Sequence, residues 1–155
     1  MVKYFTREGF EAHQQRIKNL EKELSEFESR VQHNIEVGGD QWHDNSGYEY
    51  LVQQIDVANR RLCDAYNEVK SIEIIEYPKT IDRVVCGCKV HFLMDGHEKK
   101  FDIVTYGEAD AENNKILYEC PIAEAMMGRK VGEHFNSTIN GTKKEIRILD
   151  IQPLK

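Results

Sequence analysis

The strongest constraint on the fold is a pair of apolar seams in the first half of the chain. In each seam, apolar residues recur three or four positions apart with charged residues between them, which is typical of amphipathic helices. Because the two seams are similar in length, we expect them to pack against each other as an antiparallel coiled-coil hairpin. The first seam runs through Phe10, His13, Ile17, Leu20, Leu24, Phe27, Val31 and Ile35, and the second through Tyr48, Leu51, Ile55, Ala58, Leu62, Ala65, Val69 and Ile72.

The ends of both helices carry recognisable signals. Thr6 is a candidate N-cap of the first helix, and Glu8 places a carboxylate near the positive end of the helix dipole. Gly38 and Gly39 are predicted to end this helix, and Asn45 or Ser46 to cap the second. At 1.5 Å per residue each arm is about 40–50 Å long, so the connection is expected at the far end of the hairpin.

The sequence changes character near Pro78, which divides the chain into a hairpin at 1–77 and a C-terminal domain at 78–155. After that point, short β-rich runs alternate with Gly and Asn, which predicts a small α+β domain. Asn140-Gly141 is the strongest hairpin-turn signal, and Asp95-Gly96 is a second. We predict strands at Arg83–Leu93, Lys99–Tyr106, Lys115–Tyr118, Glu133–Ile139 and Lys143–Ile151, and a short helix at Ile122–Met127.

Composition excludes several classes of protein. A net charge of −6 argues against a domain whose main task is to coat nucleic acid. No apolar run is long enough to span a membrane and the N-terminus lacks a signal-peptide pattern, so we expect a cytoplasmic protein. No nucleophile motif or phosphate-binding glycine loop is present.

The four cysteines invite a disulfide or a zinc interpretation. Cys86-Gly87-Cys88 is an isolated C-x-C, without the paired C-x-x-C spacing of a zinc site. In a strand these two side chains would share one face. Buried free thiols are the favoured interpretation, since unpaired Cys prefers protein interiors.

The connection between the helices holds the most specific polar cluster. Asp40 and Asp44 lie four positions apart, and two nearby carboxylates can bind a hard cation such as Mg²⁺ if another molecule completes the ligand shell. The alternative is ordinary turn and cap chemistry, for which Asp, Asn, Ser and Gly are common. Trp42 can mark a contact or pack over the helix ends, and His43 can be a ligand or a solvated side chain.

Several segments resemble the Gre transcript-cleavage factors, in order and over essentially the whole chain. Residues 5–10 and 19–24 resemble the opening of that family, and Gly39-Asp40…Asp44-Asn45…Tyr48 resembles its Gly-Asp-x-x-Glu-Asn-x-x-Tyr tip. Gly107-Glu108-Ala109-Asp110 resembles the family's Asp-Glu-Ala-Asp. Residues 120–133, CPIAEAMMGRKVGE, resemble its Ser-Pro-(Leu/Ile)-Ala-x-Ala-(Leu/Met)-(Leu/Met)-Gly segment and the residues after it.

The resemblance implies an FKBP-like C-terminal domain that docks at the secondary channel of RNA polymerase. The hairpin would enter the channel, where Asp40 and Asp44 help to hold the second catalytic Mg²⁺, an ion shared with polymerase and not tightly bound by the free protein. Polymerase itself would then cut the extruded 3′ end of the nascent RNA, and the free factor would be a monomer without enzymatic activity of its own. The implied polymerase-binding residues are Cys120, Pro121, Ile122 and Met126, and the implied tip contacts are Trp42, His43 and Asn45.

Two departures from the family pattern keep other functions open. Three residues separate Asp40 from Asp44, where the family has two between its acids, and Asp44 stands for a Glu. The alternative is therefore a secondary-channel binder that inhibits or tunes transcription without cleavage. A third interpretation, a prolyl isomerase or chaperone, has little support because Phe92, Phe101 and Phe135 are explained as core.

Basic residues on the predicted helices could attract the extruded RNA, as the family's basic patch does, or could simply belong to a solvated helix face. These residues are Arg16, Arg30, Arg60 and Arg61.

Overall fold

The computed structural model describes residues 1–38 and 46–154. The chain folds as two compact units. The first comprises Met1–Lys3 and Glu11–Ile72, and the second comprises Tyr4–Phe10 and Glu73–Lys155. The first turn of the first helix therefore belongs to the second unit, and the sequence-based boundary at 77/78 falls within that unit.

Two long helices make up most of the first unit. Helix α1 spans Arg7–Gly38 and α2 spans Ser46–Glu68. The start of α1 meets the end of α2, because the buried His13 lies 2.9 Å from the carbonyl oxygen of Ala65 and 3.5 Å from Glu68. The helices therefore run antiparallel, which confirms the predicted hairpin. The buried seam residues of the pair are His13, Leu20, Leu51, Ala58 and Ala65.

The second helix ends earlier than its seam predicts. Val69 follows the last helical residue, and its amide bonds to the carbonyl of Tyr66 in a tighter turn. Ile72, predicted as the last seam residue, instead begins the short strand β2, Ile72–Ile74, which pairs with β1, Lys3–Phe5. Neither strand was predicted, because each has three residues and their pairing joins distant parts of the chain.

A five-stranded sheet forms the body of the second unit, in the order β5-β4-β3-β7-β6. All neighbours are antiparallel except β4 and β5. Both predicted two-residue turns are confirmed, since each has positive φ at both positions: Asp95-Gly96 joins β3 to β4 and Asn140-Gly141 joins β6 to β7. The strands are β3 Cys88–Met94, β4 His97–Val104, β5 Lys115–Leu117, β6 His134–Ile139 and β7 Thr142–Pro153.

One face of this sheet carries the main core. A short helix, α3, spans Pro121–Met126, which confirms the short helix predicted at Ile122–Met127 with each end one residue earlier, and it buries Ala123 and Met126. The fold is thus α+β, with two long helices followed by a sheet domain. The buried cluster consists of Val84, Cys88, Val90, Phe92, Ile103, Ala123, Met126, Ile139, Ile146 and Ile148.

The arrangement of Cys86 and Cys88 differs from the prediction. The strand begins only at Cys88, and Gly87 has a φ of +90°, so the two cysteines do not alternate along one strand. Upstream, Val84 exchanges backbone hydrogen bonds with Gly128 and Arg129. All four thiols are free, as predicted, but only Cys88 is fully buried and Cys63 is exposed.

Across residues 1–38 and 46–154, no helix combines the length and the apolar character that a membrane crossing requires.

Candidate functional site

The predicted tip cluster lies outside the described residues. Asp40, Trp42, His43, Asp44 and Asn45 all fall between the end of α1 at Gly38 and the start of α2 at Ser46. Their roles therefore stay predictions. Within the described ranges, no group of three or more His, Cys, Asp or Glu side chains is placed to hold a metal ion.

The helix segments next to the tip expose apolar side chains. Val37 in the last turn of α1 is 72% exposed, and Tyr50 near the start of α2 is 60% exposed. Ile35 and Val52 are exposed as well. Solvent-facing apolar groups of this kind are common where a surface meets another molecule.

The predicted polymerase-binding segment surrounds α3. Cys120 immediately precedes the helix, has an extended backbone, and its side chain accepts no capping hydrogen bond from the backbone N–H groups of the first turn. Pro121 takes the first helical position, where its missing N–H costs nothing, and is exposed. Cys120 and Ile122 are half-buried and pack against the core cluster.

Met126 occupies a different environment from the other three predicted contact residues. Its side chain is fully buried in the core and supports α3 from beneath. The exposed positions of this segment include Pro121, Glu124 and Met127, which recur at three-residue intervals. Glu124 and Met127 were not predicted as contact residues, although the helical spacing from the core-facing Ala123 and Met126 would have identified them.

The Gly107-Glu108-Ala109-Asp110 motif has a visible structural role. Glu108 accepts hydrogen bonds from the Tyr77 hydroxyl and, at 3.1 Å, from the Thr105 hydroxyl. The Thr105 amide in turn donates to the Tyr77 hydroxyl at 3.0 Å. Asp110 caps the 3-10 turn at Ala111–Asn113 by accepting from the Glu112 amide. Two motif residues are therefore explained by local hydrogen bonding.

The first turn of α1 lies directly against this network. Thr6 caps the helix as predicted, because its hydroxyl accepts from the Gly9 amide at 3.0 Å, and its own amide donates to Thr105 Oγ1 at 3.2 Å. Gly107 approaches Gly9 so closely that a Cβ at position 107 would lie 2.0 Å from the Gly9 carbonyl oxygen. Gly9 and Gly107 are therefore needed for steric reasons.

Burial shifts the pKa values of several ionisable groups in the second unit. Loss of solvent, followed by the hydrogen bond to Glu108, raises the pKa of Tyr77 well above its ordinary value. Burial also raises the pKa of Cys86 to about 12 and the pKa of Cys88 to about 11. These thiols are held as neutral, weakly nucleophilic groups, which does not suit a catalytic cysteine.

A cavity of about 600 Å³ adjoins the Tyr77–Glu108 hydrogen bond. Its wall combines cationic, acidic and apolar side chains, so charge alone selects no ligand class. The lining residues are Thr6, Arg7, Glu8, Ile75, Glu76, Tyr77, Lys79, Glu108, Pro153 and Leu154.

Comparison with known proteins identifies relatives of the whole chain. Residues 78–153 match the family model for the C-terminal domain of the transcription elongation factors GreA/GreB. The chain is 33% identical over 134 residues to transcription elongation factor GreA of Thermosipho melanesiensis, with 85% of each chain covered. It is 28% identical over 149 residues to GreA of Thermotoga neapolitana, with 94% of each covered.

Among solved structures, GreA factor homolog 1 (Gfh1) of Thermus thermophilus shares 22% identity with this chain at a TM-score of 0.47. The alignment covers 98% of this chain and 99% of that one.

The extent of the GreA match decides the class of protein. This chain belongs to the GreA/GreB family of transcription elongation factors.

Proposed function

We propose that this protein binds bacterial RNA polymerase in its secondary channel and stimulates cleavage of backtracked RNA by the polymerase active site. The observation that carries the proposal is the 33% identity to a GreA protein over 85% of both chains. The antiparallel helices supply the element that such a function needs, because a narrow channel admits a hairpin more readily than a globular domain.

The helices are long enough for the hairpin to extend through a channel toward the polymerase active site. Helix α1 has 32 residues and α2 has 23, which correspond to about 48 Å and about 35 Å at 1.5 Å per residue. The sequence between them carries Asp40 and Asp44. The proposal assigns these two carboxylates to the polymerase active site and assigns the reaction itself to polymerase.

The chemistry of the two acids suits Mg²⁺, which prefers oxygen ligands and is commonly held by one or two carboxylates. In the proposal, Asp40 and Asp44 supply part of the ligand shell, and polymerase and water supply the rest. When bound, such an ion stabilises charge on the oxygens of the phosphoryl group that is attacked. Trp42, His43 and Asn45 are assigned to contacts around the same place.

The surface around α3 is proposed as the polymerase-docking surface. Pro121, Glu124 and Met127 form its exposed part, and Cys120 and Ile122 flank it. Met126 contributes from the core, by holding the helix in place. A proline, a methionine and an acid together fit a partner surface that combines an apolar contact with a basic side chain.

A cleavage assay tests the proposal. Purified protein is added to a backtracked polymerase complex with Mg²⁺, and the release of short 3′ RNA fragments is measured. Asp40→Ala and Asp44→Ala are each expected to abolish the stimulation while polymerase binding is retained. Asp64→Ala, which removes an exposed carboxylate from α2, serves as the matched control and is expected to behave like wild type. Wild-type protein that gives no release above polymerase alone would refute the proposal.

The spacing of the acids favours a second candidate function. Gln41, Trp42 and His43 separate Asp40 from Asp44, which is one residue more than in the family pattern that the tip resembles. A displacement of about 1 Å at a reacting centre can cost on the order of a hundredfold in rate. The second candidate is therefore a channel binder that slows nucleotide addition on complexes that are not backtracked, without stimulating cleavage.

A further inference from the structure

The cavity beside the Tyr77–Glu108 hydrogen bond is explained neither by the docking surface nor by the hairpin. Its volume of about 600 Å³ lies within the range of about 300–1,000 Å³ that is typical of small-molecule sites. Its wall is formed by the first turn of α1, the segment that follows β2, Glu108 and the end of β7. All of these lining residues belong to the second unit, so the cavity is a feature of that unit alone.

Apolar side chains form one part of the wall. They are Ile75, Tyr77, Pro153 and Leu154. The hydroxyl of Tyr77 donates to Glu108 and accepts from the Thr105 amide at 3.0 Å, which fixes the position of the ring. A fixed aromatic ring beside aliphatic groups offers a surface on which the apolar part of a ligand can pack.

Charged side chains of both signs line the same cavity. They are Arg7, Glu8, Glu76, Lys79 and Glu108. Within residues 1–38 and 46–154, none of the five forms an ion pair, either with another lining residue or elsewhere. A ligand with charge of only one sign would therefore leave part of this wall unmatched, whereas a ligand that carries both signs can match it.

The two cations are suited to a carboxylate. Arg7 is the first residue of α1, where a positive side chain is unfavourable beside the positive end of the helix dipole. No acid in the described part of the chain pairs with Arg7 to offset this cost, and the same holds for the exposed Lys79. A local rule that is broken without compensation in the fold is typical of a functional site. Both groups form charge-assisted hydrogen bonds with carboxylates.

Glu108 is suited to an ammonium group. The Tyr77 and Thr105 hydroxyls both donate to Oε2 of this residue, and Oε1 accepts no hydrogen bond from any residue that the structure describes. Among the described residues no buried side-chain oxygen lacks a partner, so Oε1 is open to solvent. The carboxylate is thus held in place through one oxygen and can accept from a ligand through the other.

We propose that this cavity binds a zwitterionic compound of the amino-acid type, which carries an ammonium group and a carboxylate on an apolar body. The ammonium donates to Glu108, the carboxylate binds Arg7 and Lys79, and the apolar side chain packs against Tyr77 and Leu154. A free α-amino acid and a dipeptide share this chemistry and differ in the distance between their two charges. The site goes beyond the proposed function, because neither polymerase nor RNA takes part in it.

Nuclear magnetic resonance titration of the labelled full-length protein tests the inference, with L-leucine and leucyl-leucine as the two probes. At least one probe is expected to shift the amide signals of Arg7, Tyr77 and Leu154 saturably, with a dissociation constant of about 1 mM for so small a ligand. The probe that binds more tightly identifies the charge separation that fits the cavity. The amide of Lys143, near the opposite end of β7, is expected to stay unchanged. Absence of saturable shifts with both probes would overturn the inference.

Analogues of the tighter probe test recognition of both charges on the wild-type protein. The N-acetylated form lacks the ammonium and the C-terminal amide lacks the carboxylate, so each is expected to bind about tenfold more weakly, as loss of one charged hydrogen-bonded contact implies. Glycine keeps both charges without the apolar body and is also expected to bind more weakly. Equal binding of the probe and its N-acetylated or amidated form would contradict the assignment of the site to a zwitterion.

Substitutions then test the residues that carry the two contacts. Lys79→Gln and Arg7→Gln are each expected to weaken binding of the tighter probe about threefold to tenfold, because one partner of the carboxylate is lost. Lys143→Gln removes an equal charge at the far end of β7 and is the matched control, expected to bind like wild type.

Glu108→Gln keeps an oxygen that can accept from the Tyr77 hydroxyl, and is expected to weaken binding about tenfold through loss of the charge. Thermal unfolding without ligand checks that each variant is folded, and the Arg7 and Lys79 variants keep the test decisive if the Glu108 variant is not. Wild-type affinity in the folded Arg7 and Lys79 variants would overturn the inference. These measurements use no polymerase, so their outcome is independent of the proposed function.

Discussion

The hairpin and the sheet domain bury their side chains in different ways. In the sheet domain, large side chains such as Phe92, Ile146 and Ile148 are completely buried in one continuous cluster. Along the hairpin, the buried positions include two alanines, and other seam residues such as Phe27 are only half-buried. The sheet domain is therefore held by its core, and the hairpin by a thin seam together with its own helical hydrogen bonds.

This difference agrees with the proposed function, in which the sheet domain docks on polymerase and the hairpin enters the channel. A domain that docks needs a fixed surface, which a dense core beneath α3 provides. An element that enters a channel must be narrow, and a narrow element has little interior. Substitutions in the two regions should consequently have very different costs.

Truncation of one phenylalanine in each region is expected to give the largest difference in the free energy of unfolding. Phe92→Ala in the sheet core is expected to lower the free energy of unfolding by about 3–5 kcal/mol, because it leaves a cavity beside Phe101. Phe27→Ala on α1 is expected to cost only about 1 kcal/mol, since its ring is already partly in water. Urea unfolding followed by circular dichroism measures both values. Equal costs would contradict the contrast between core and seam.

Substitution of two glycines measures the stability cost of a steric clash separately from the cost of a left-handed backbone conformation. Gly107 and Gly96 both have positive φ, at +85° and +79°, but only position 107 faces another backbone segment. Gly96→Ala is expected to cost about 1–2 kcal/mol from the left-handed conformation alone. Gly107→Ala should add about 1–3 kcal/mol from the clash with Gly9. Thermal unfolding of the two variants tests this, and a cost at position 107 no greater than at position 96 would contradict the close packing.

The next test concerns the hydrogen bond made by His13, the buried histidine of the hairpin. A carbonyl oxygen can only accept, so His13 donates from Nε2 to Ala65, and His13→Leu would remove this donor while keeping the side chain's bulk. The loss is expected to be about 1–3 kcal/mol, since a buried carbonyl would lose its hydrogen bond. Arg16→Gln, which removes an exposed partner 3.9 Å from Glu68, is expected to cost less than about 1 kcal/mol. Helix content during denaturation reports both effects.

The last and smallest expected difference between the two regions is in the rate at which their thiols react. Cys63 on α2 is exposed, whereas burial raises the pKa of Cys86 to about 12 and of Cys88 to about 11. At mildly alkaline pH the native protein should therefore react rapidly at Cys63 and slowly at the other two, because the thiolate is the reactive form. As the pH rises toward those values, the slow thiols should accelerate. Alkylation followed by mass spectrometry measures the rates, and fast native labelling of Cys88 would contradict its burial.

Local patterns in the sequence predicted much of this fold. The three- and four-residue spacing around Leu20 and Ala58 identified both helices, because a helix side buried against one partner needs that period. Asn140-Gly141 identified a two-residue hairpin, because both positions need positive φ. The Thr6 cap was also identified from local residue chemistry alone.

The missed features depend on contacts between distant parts of the chain. The seam pattern extends through Ile72, yet α2 ends at Glu68, and pairing with the β1 strand gives Ile72 an extended backbone. Burial of Met126 similarly depends on how α3 lies on the sheet, which a motif match does not specify. At the tip, the sequence shows two acids, Asp40 and Asp44, and the spacing between them. Both lie outside the described residues, so it stays a prediction that the two carboxylates come close enough to share a metal ion.

The most direct test of the central claim is a competition between wild-type protein and Asp40→Ala during cleavage of backtracked RNA. We predict that excess Asp40→Ala protein suppresses the cleavage that wild type stimulates, because it occupies the same site on polymerase without the tip carboxylate. An Asp40→Ala protein that also carries Met127→Glu on the docking surface is expected to suppress much less. If excess Asp40→Ala leaves the cleavage stimulated by wild type unchanged, or itself stimulates cleavage like wild type, the assignment of polymerase binding and cleavage stimulation to these two regions is wrong.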